Sequence, residues 1–321
     1  FSPSVETLDV LGTDNQLLSK SGTEIFINSL KTSRGVAIDS QNNVLIYDFD
    51  LNDSFELVDI VKKFDQEGVL VDEIELGIFS DSIKFAELPN SNSFVGLSKD
   101  GTLTLIEPEP LAVNFLDHLH ISSLEGVETS PVYHITWEDL ISDPMVLLSD
   151  SIYNDIAIRQ NGNSVDLFIT GAYLSGMHPF VMRVETSSDL TNFIEAQVLM
   201  VGARGFPEDP NEPPLPRDPS ALIGPGIAVN ADGTVLTALP TFEGGDGYAY
   251  PDLVAFPANF NPTDVSDSDP SNDPMILPNG LGIDSFGMTA DDGGNFYILT
   301  DSVLESRVMI FPPTLEQPSR V

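Results

Sequence analysis

Four stretches of the sequence share one plan, an apolar run, a small polar turn and a second apolar run: GVAIDSQNNVLIYD (35–48), DIAIRQNGNSVDLFIT (155–170), GIAVNADGTVLTAL (226–239) and GMTADDGGNFYILTD (287–301). Each predicts a β-hairpin. Asn and Gly accept the positive φ that tight hairpin turns require, and the flanking Val, Ile, Leu, Phe and Tyr suit pleated strands. The first interval between hairpins is about twice the later ones, so a further unit is expected near residue 95. SIKFAELPNSNSFVGLSKDGTLTLIEP (82–108) fills that place with looser matching. More strand-like sequence follows each hairpin, as in FELVDIVKKFD (55–65) with VLVDEIELG (69–77), and PFVMRVET (179–186) with EAQVLMVG (195–202). Four short antiparallel strands repeated every few tens of residues are the signature of a β-propeller. A β-sandwich would supply short strands but not a hairpin returning at a fixed place in each unit.

The expectation is therefore an all-β chain, a single β-propeller domain over 1–321 with five or six four-stranded antiparallel blades; the poorly matched 121–150 region leaves room for the sixth. The strand-like SVETLDVLG (4–12) is expected to complete the last blade and close the ring. The hairpin plan, with Gly or a small residue, two apolar positions, Ala, Asp or Asn, a Gly-Asn turn and an apolar run ending in Asp, resembles NHL-repeat and gluconolactonase-like propellers. That resemblance covers about five short segments and is a matter of blade packing. It implies lactone or ester hydrolases holding one divalent cation in a central channel, and equally propellers that only bind. The acidic residue and Asn/Asp ligands of a gluconolactonase-like site do not map residue by residue onto this chain.

Charge narrows the partners. Thirteen Lys+Arg against 50 Asp+Glu give a net charge of −37, a field that repels phosphate backbones and anionic headgroups, so neither nucleic acid nor membrane insertion is expected. Such an excess of carboxylates destabilises a compact state unless salt or bound cations offset it, which points to a saline or calcium-rich setting. There is no cysteine, hence no disulfide, thiolate metal site or cysteine nucleophile. No apolar stretch is long enough to span a bilayer. The acidity, with a first residue that is Phe1, gives the expectation of a secreted or extracellular, or periplasmic, protein whose leader has been removed.

Antiparallel order offers a geometric argument for the site. If each recurring hairpin is the first and second strand of a blade, its turn lies at one end, and the second-to-third loops and blade-to-blade connections lie at the other. The long segments at 203–225 and 259–285, with DFDLNDS (48–54), GAYLSGMH (171–178), FEGGDGYAY (242–250) and TDSVLES (300–306), are all expected at that second end. Binding residues concentrate on loops held by a rigid scaffold, so this is the predicted functional face.

Its candidate residues follow from their chemistry. Asp48, Asp50, Asn52 and Asp53 place alternating oxygens in a tight loop, as a hard cation such as calcium requires, although Asp53 stands where an EF-hand has glycine and Asp59 where it has glutamate. Asp264, Asp267, Asp269 and Asp273 form a second acidic cluster. Arg204 and Arg217, retained in so negative a chain, suit an anionic group, and Tyr248 and Tyr250 add aromatic surface beside flexible glycines for a protein or glycan partner. His178 falls on the same face, where a general base would sit, whereas His134 is isolated. His118 and His120 are expected on one face of a strand, at two-histidine metal spacing without a third ligand. Asn154, Asp155, Asn279 and Asp284 lie beside first strands, positioned for a channel site. No nucleophile elbow, H-E-x-x-H motif or phosphate loop is present. Two readings result: a calcium-stabilised binding or scaffolding module, or a metal-dependent lactonase or esterase with a cation in the channel.

Overall fold

The computed structural model describes residues 16–18, 24–26, 35–51, 54–78, 83–124, 133–134, 151–173, 178–201, 226–240, 251–261, 274–277, 284–291, 293–301, 306–315 and 319–320. The chain divides into two compact units, Phe1–Asp117 and His118–Val321, and each is taken by itself.

The first unit begins with a paired β1 (Gln16–Leu18) and β2 (Glu24–Phe26). A first four-stranded sheet follows: β3 (Gly35–Ile38), β4 (Val44–Leu51), β5 (Leu57–Phe64) and β6 (Leu70–Ile78). The second is β7 (Lys84–Leu88), β8 (Ser93–Leu97), β9 (Leu103–Pro108) and β10 (Leu111–Phe115). In the second unit, β11 (Tyr133–His134) lies parallel to the outer edge of a third sheet made of β12 (Ser151–Asn161), β13 (Ser164–Tyr173), β14 (His178–Ser187) and β15 (Phe193–Val201). The fourth sheet is β16 (Ile227–Val229), β17 (Val235–Pro240), β18 (Pro251–Phe256) and β19 (Met275–Leu277). The fifth is β20 (Asp284–Ala290), β21 (Phe296–Asp301), β22 (Ser306–Phe311) and β23 (Ser319–Arg320). Each of these five sheets runs its four consecutive strands side by side as an antiparallel meander, the plan that the repeats predicted.

Side-chain alternation determines how the sheets stack. In the fourth sheet Ile227, Val235, Val254 and Phe256 pack on Ala157, Phe168, Val181 and Met200 of the third, while Ala228, Leu236, Leu253 and Ala255 pack on Phe296, Ile298 and Phe311 of the fifth. Because the side-chain period is two, adjacent residues such as Ile227 and Ala228 are sent to opposite cores, and a sheet buried on both faces reads as a continuous apolar run. Burying each large apolar side chain contributes roughly 1.5–3 kcal/mol. The same face-to-face packing joins Leu45 and Val61 to Phe94, Ile106 and Leu111 in the first unit. First strands lie beside first strands, β3 by β7 and β16 by both β12 and β20.

The turns explain the repeat at the level of single hydrogen bonds. In 39–43, 65–69, 98–102, 230–234 and 291–295 the first residue's N–H donates to the fifth's carbonyl, and the fourth's N–H to the first's carbonyl. The fourth position is left-handed in every case: Asn42, Gly68, Gly101, Gly233 and Gly294 have φ of 64°, 80°, 86°, 92° and 83°. The first side chain, from Asp39, Asp65, Ser98, Asn230 or Asp291, then accepts the fifth residue's N–H. A short oxygen-bearing side chain followed three residues later by Gly or Asn is what such a turn demands.

One expectation gains detail and two change. In 82–108, where the match was looser, the first-to-second turn is 89–92 with Asn90 at φ 61°, and the capped five-residue turn, Ser98–Thr102, joins the second and third strands. The stretch 259–285 is interrupted by β19, the fourth strand of its sheet, so it is not one connection from the fourth sheet to the fifth. The fourth strand of the fifth sheet is Ser319–Arg320, which takes the place predicted for an N-terminal strand; residues 4–12 lie outside the described residues.

Candidate functional site

The end carrying the first-to-second turns is bonded to itself. In the first unit the Ser40 amide donates to Asn92 Oδ1 at 2.9 Å, linking the hairpin turns of the two sheets, and Gln66 Nε2 donates to the Gln41 carbonyl at 2.9 Å. Buried Lys63 donates to Glu109 Oε1 at 2.7 Å and to the Pro108 carbonyl at 2.9 Å, and lies 3.3 Å from Asp39 Oδ2. Burial pushes the Asp39 carboxyl up, but hydrogen bonds from the Asn43 side chain and backbone, from Gln41 N–H and from Lys63 outweigh it and hold it below the usual range. In the second unit fully buried Asp166 accepts from Arg159 Nη2 at 3.2 Å and Arg183 Nη2 at 2.7 Å. Arg159 also lies on the next sheet's turn, where a Cβ at Gly233 would collide with its guanidinium. Asp291 accepts from the Asn295 side chain and backbone and from the Tyr297 hydroxyl, which together hold it below its ordinary value.

The other end of the third sheet is built differently. Ser151, Tyr173 and His178 stand in register across β12, β13 and β14, and Tyr153, Gly171 and Phe180 stand in register two residues inward. Gly171 is required there, since a Cβ would meet the Phe180 ring at 2.5 Å and the Ile152 carbonyl oxygen at 2.7 Å; the Tyr153 and Phe180 rings meet edge to face over it, 5.9 Å apart. Ser151 Oγ and the Tyr153 hydroxyl are buried, and no other group bonds them among the described residues. Burial pushes the Tyr153 phenol well above its usual value, against a smaller lowering by Ser151.

A register shift between Tyr153 and Asp155 makes Asn154 an extra residue and turns Asp155 onto the opposite face. Its Oδ2 there accepts the Ile227 amide of the next sheet's first strand at 3.1 Å, while Oδ1 accepts its neighbour Ile156 N–H at 3.0 Å. Of the channel candidates, Asp155 is thus tied into the junction of two first strands. A matching shift occurs in β20 between Ser285 and Gly287. Nothing in the sequence announces either bulge.

The metal candidates separate. Asp48 and Asp50 lie within strand β4 rather than in a loop, and Asp48 is fully buried against the Lys62 ammonium at 2.8 Å. Asp59 is likewise buried, accepting from the Tyr47 hydroxyl at 2.5 Å. Asn52 and Asp53 lie outside the described residues, as do Arg204, Arg217, Tyr248, Tyr250, Asn279, Asp264, Asp267, Asp269 and Asp273. His178 opens β14, and Asp284 opens β20. The two-histidine strand is replaced by a 3-10 turn, Asp117–Leu119: His118 Nε2 lies 2.6 Å from the Leu190 carbonyl oxygen, while His120 pairs with Ser122 Oγ, so the two rings serve separate local contacts. No cluster of three metal-ligating side chains occurs among the described residues.

No protein-family model matches the chain, and no curated protein matches it. Among solved structures it is similar to the β-propeller domain of the Trilobed protease from Pyrococcus furiosus, at 9% identity over 91% of this chain and 83% of that one, with a TM-score of 0.45. It is similar to Penicillium chrysogenum alpha-L-arabinanase complexed with arabinobiose, at 9% identity over 89% and 79%, with a TM-score of 0.48. Pyrococcus horikoshii acylaminoacyl peptidase aligns at 9% identity over 91% of this chain but 39% of that one, with a TM-score of 0.44.

Proposed function

We propose that this chain is a secreted, acidic β-propeller serving as a binding or scaffolding module, with a protein or glycan partner at the end opposite the bonded hairpin turns and with calcium stabilising its loops. The observation that carries this reading is the contrast between the two ends of the sheets. At the turn end Asp39, Asp166, Asp291, Lys63 and Arg159 are all engaged by neighbouring groups of the fold. A ligand there would displace existing bonds, whereas the described strands pass from second to third at the other end. Consecutive meanders stacked face to face, with first strands adjacent, support the propeller.

The calcium reading keeps Asp50, Asn52 and Asp53 but loses Asp48, whose Oδ2 is already matched by Lys62. The surface excess of carboxylates supplies the general reason for cation dependence: Lys62, Lys63, Arg159 and Arg183, four of only 13 basic residues, are each held by an interior acid, Asp48, Asp39 or Asp166. A thermal melt with calcium and with chelator, run beside an assay of δ-lactone turnover, tests the reading. A Tm raised by calcium and lowered by chelator, without turnover, is expected; metal-dependent lactone hydrolysis would replace the module with the hydrolase.

A further inference from the structure

Three bulky residues among those described hold a left-handed backbone, in which side chains beyond Cβ crowd the chain: Phe55, Leu190 and Leu315, at φ 61°, 58° and 55°. Two of them are compensated within the fold. Leu190 is completely buried, and Leu315 packs against the core between the fourth and fifth sheets. Phe55 is 85% exposed. It stands where β4 turns into β5, at the end away from the hairpin turns, between Leu51 and Leu57, which face each other in register and are themselves 54% and 44% exposed. Glycine or asparagine would suit this backbone at lower cost, and a polar residue would suit the exposure. A large aromatic ring placed here leaves most of its surface in water.

We infer that Phe55, with Leu51 and Leu57, is an apolar prong that docks into a groove of a partner protein, lined by apolar side chains and bordered by Lys or Arg. Strained, sparsely populated backbone concentrates at binding sites, and aromatic anchors carry much of the energy of protein interfaces. Charge selects the partner. Residues 50–56 hold three carboxylates, Asp50, Asp53 and Glu56, and no basic residue, and the chain as a whole carries −37, so a second copy and an anionic membrane are both repelled while a basic rim is attracted. This deepens the binding-module reading and rests on it.

The probe is a fluorescein-labelled 18-residue peptide of leucine and lysine at helical spacing, which presents an apolar stripe bordered by ammonium groups. Binding is read by anisotropy in 0.5 M NaCl, where attraction to distant charge is screened. The wild-type protein is expected to bind it, Phe55→Gly and Phe55→Asn to bind at least tenfold more weakly, and both variants to melt at a higher temperature than wild type, since each residue suits the backbone better than Phe. Loss of binding with gain of stability is an outcome that damage to the fold does not produce. The proposal is overturned if the wild type does not bind in 0.5 M NaCl, if either variant binds as tightly as wild type, or if the variants melt lower. It is also overturned if Phe55→Gly instead abolishes self-association in sedimentation or pelleting with phosphatidylcholine vesicles. Lactone turnover would remove the module reading and leave this peptide result standing; a peptide failure beside a calcium-raised Tm without turnover would remove only the prong.

Discussion

Strand β4 joins two places that treat the same backbone problem in opposite ways. At its start, Asn42 is left-handed at φ 64°, and the turn around it is closed by hydrogen bonds that involve the Asp39 and Asn43 side chains and backbones. At its end, Phe55 is left-handed at φ 61° with its ring in solvent. The first uses a residue that tolerates the conformation and surrounds it with satisfied groups; the second uses one that does not and leaves it uncovered. Local structure that is compensated inside the chain marks the scaffold, and local structure that is not marks where something else is to bind.

The contrast can be broken most severely at the turn end. Asp166→Ala leaves Arg159 and Arg183 facing one another around an empty buried position, and is expected to lower unfolding free energy by about 3 kcal/mol in a urea titration. Gly233→Ala puts a Cβ onto the Arg159 guanidinium at φ 92° and should cost about 2 kcal/mol, much of it recovered in an Arg159→Ala background if that contact is the cause. Asp39→Ala removes the acceptor for Gln41 N–H, Asn43 N–H and Asn43 Nδ2 and should cost about 1.5 kcal/mol.

A pH titration probes the same turns without mutation. Asp189 is held at about 2, against its ordinary 3.8, by hydrogen bonds from Ser187 and Thr191, and Asp39 and Asp291 are lowered as well. A carboxyl whose folded pKa is depressed contributes its stability above the unfolded value and loses it as pH falls through the folded one. The Asp189 turn should therefore hold down to about pH 4 and weaken from there toward about 2, and the Asp39 and Asp291 turns should weaken only below the ordinary carboxylate value, followed as loss of amide protection relative to the intrinsic exchange rate at Thr191, Asn43 and Asn295.

What the sequence disclosed was what depends on a few consecutive residues. The hairpins at 35–48, 226–239 and 287–301 were legible because Asp39, Asn230 and Asp291 cap turns only five residues long. The same local rule does not say which strands a turn joins, since an identical turn at 98–102 serves a different pair, and at 259–285 the three residues of β19 are too short to show as a strand. The Asp48 pairing with Lys62 was hidden because it depends on how β4 and β5 align, fourteen residues apart in sequence. Asp155 was singled out for its place beside a first strand, but its aim at Ile227 comes from a bulge that no residue type signals. Phe55 was missed because a left-handed backbone is ordinarily announced by Gly or Asn, and here it is occupied by neither.

The most direct measurement compares glycine at the two ends of β4. In paired denaturant unfolding, Asn42→Gly should change stability by no more than about 0.3 kcal/mol, because Asn already tolerates the conformation, while Phe55→Gly should raise it by about 1 kcal/mol. A Phe55→Gly protein less stable than wild type would mean that the ring is anchored within its own fold, and would contradict its role as a prong held out for a partner.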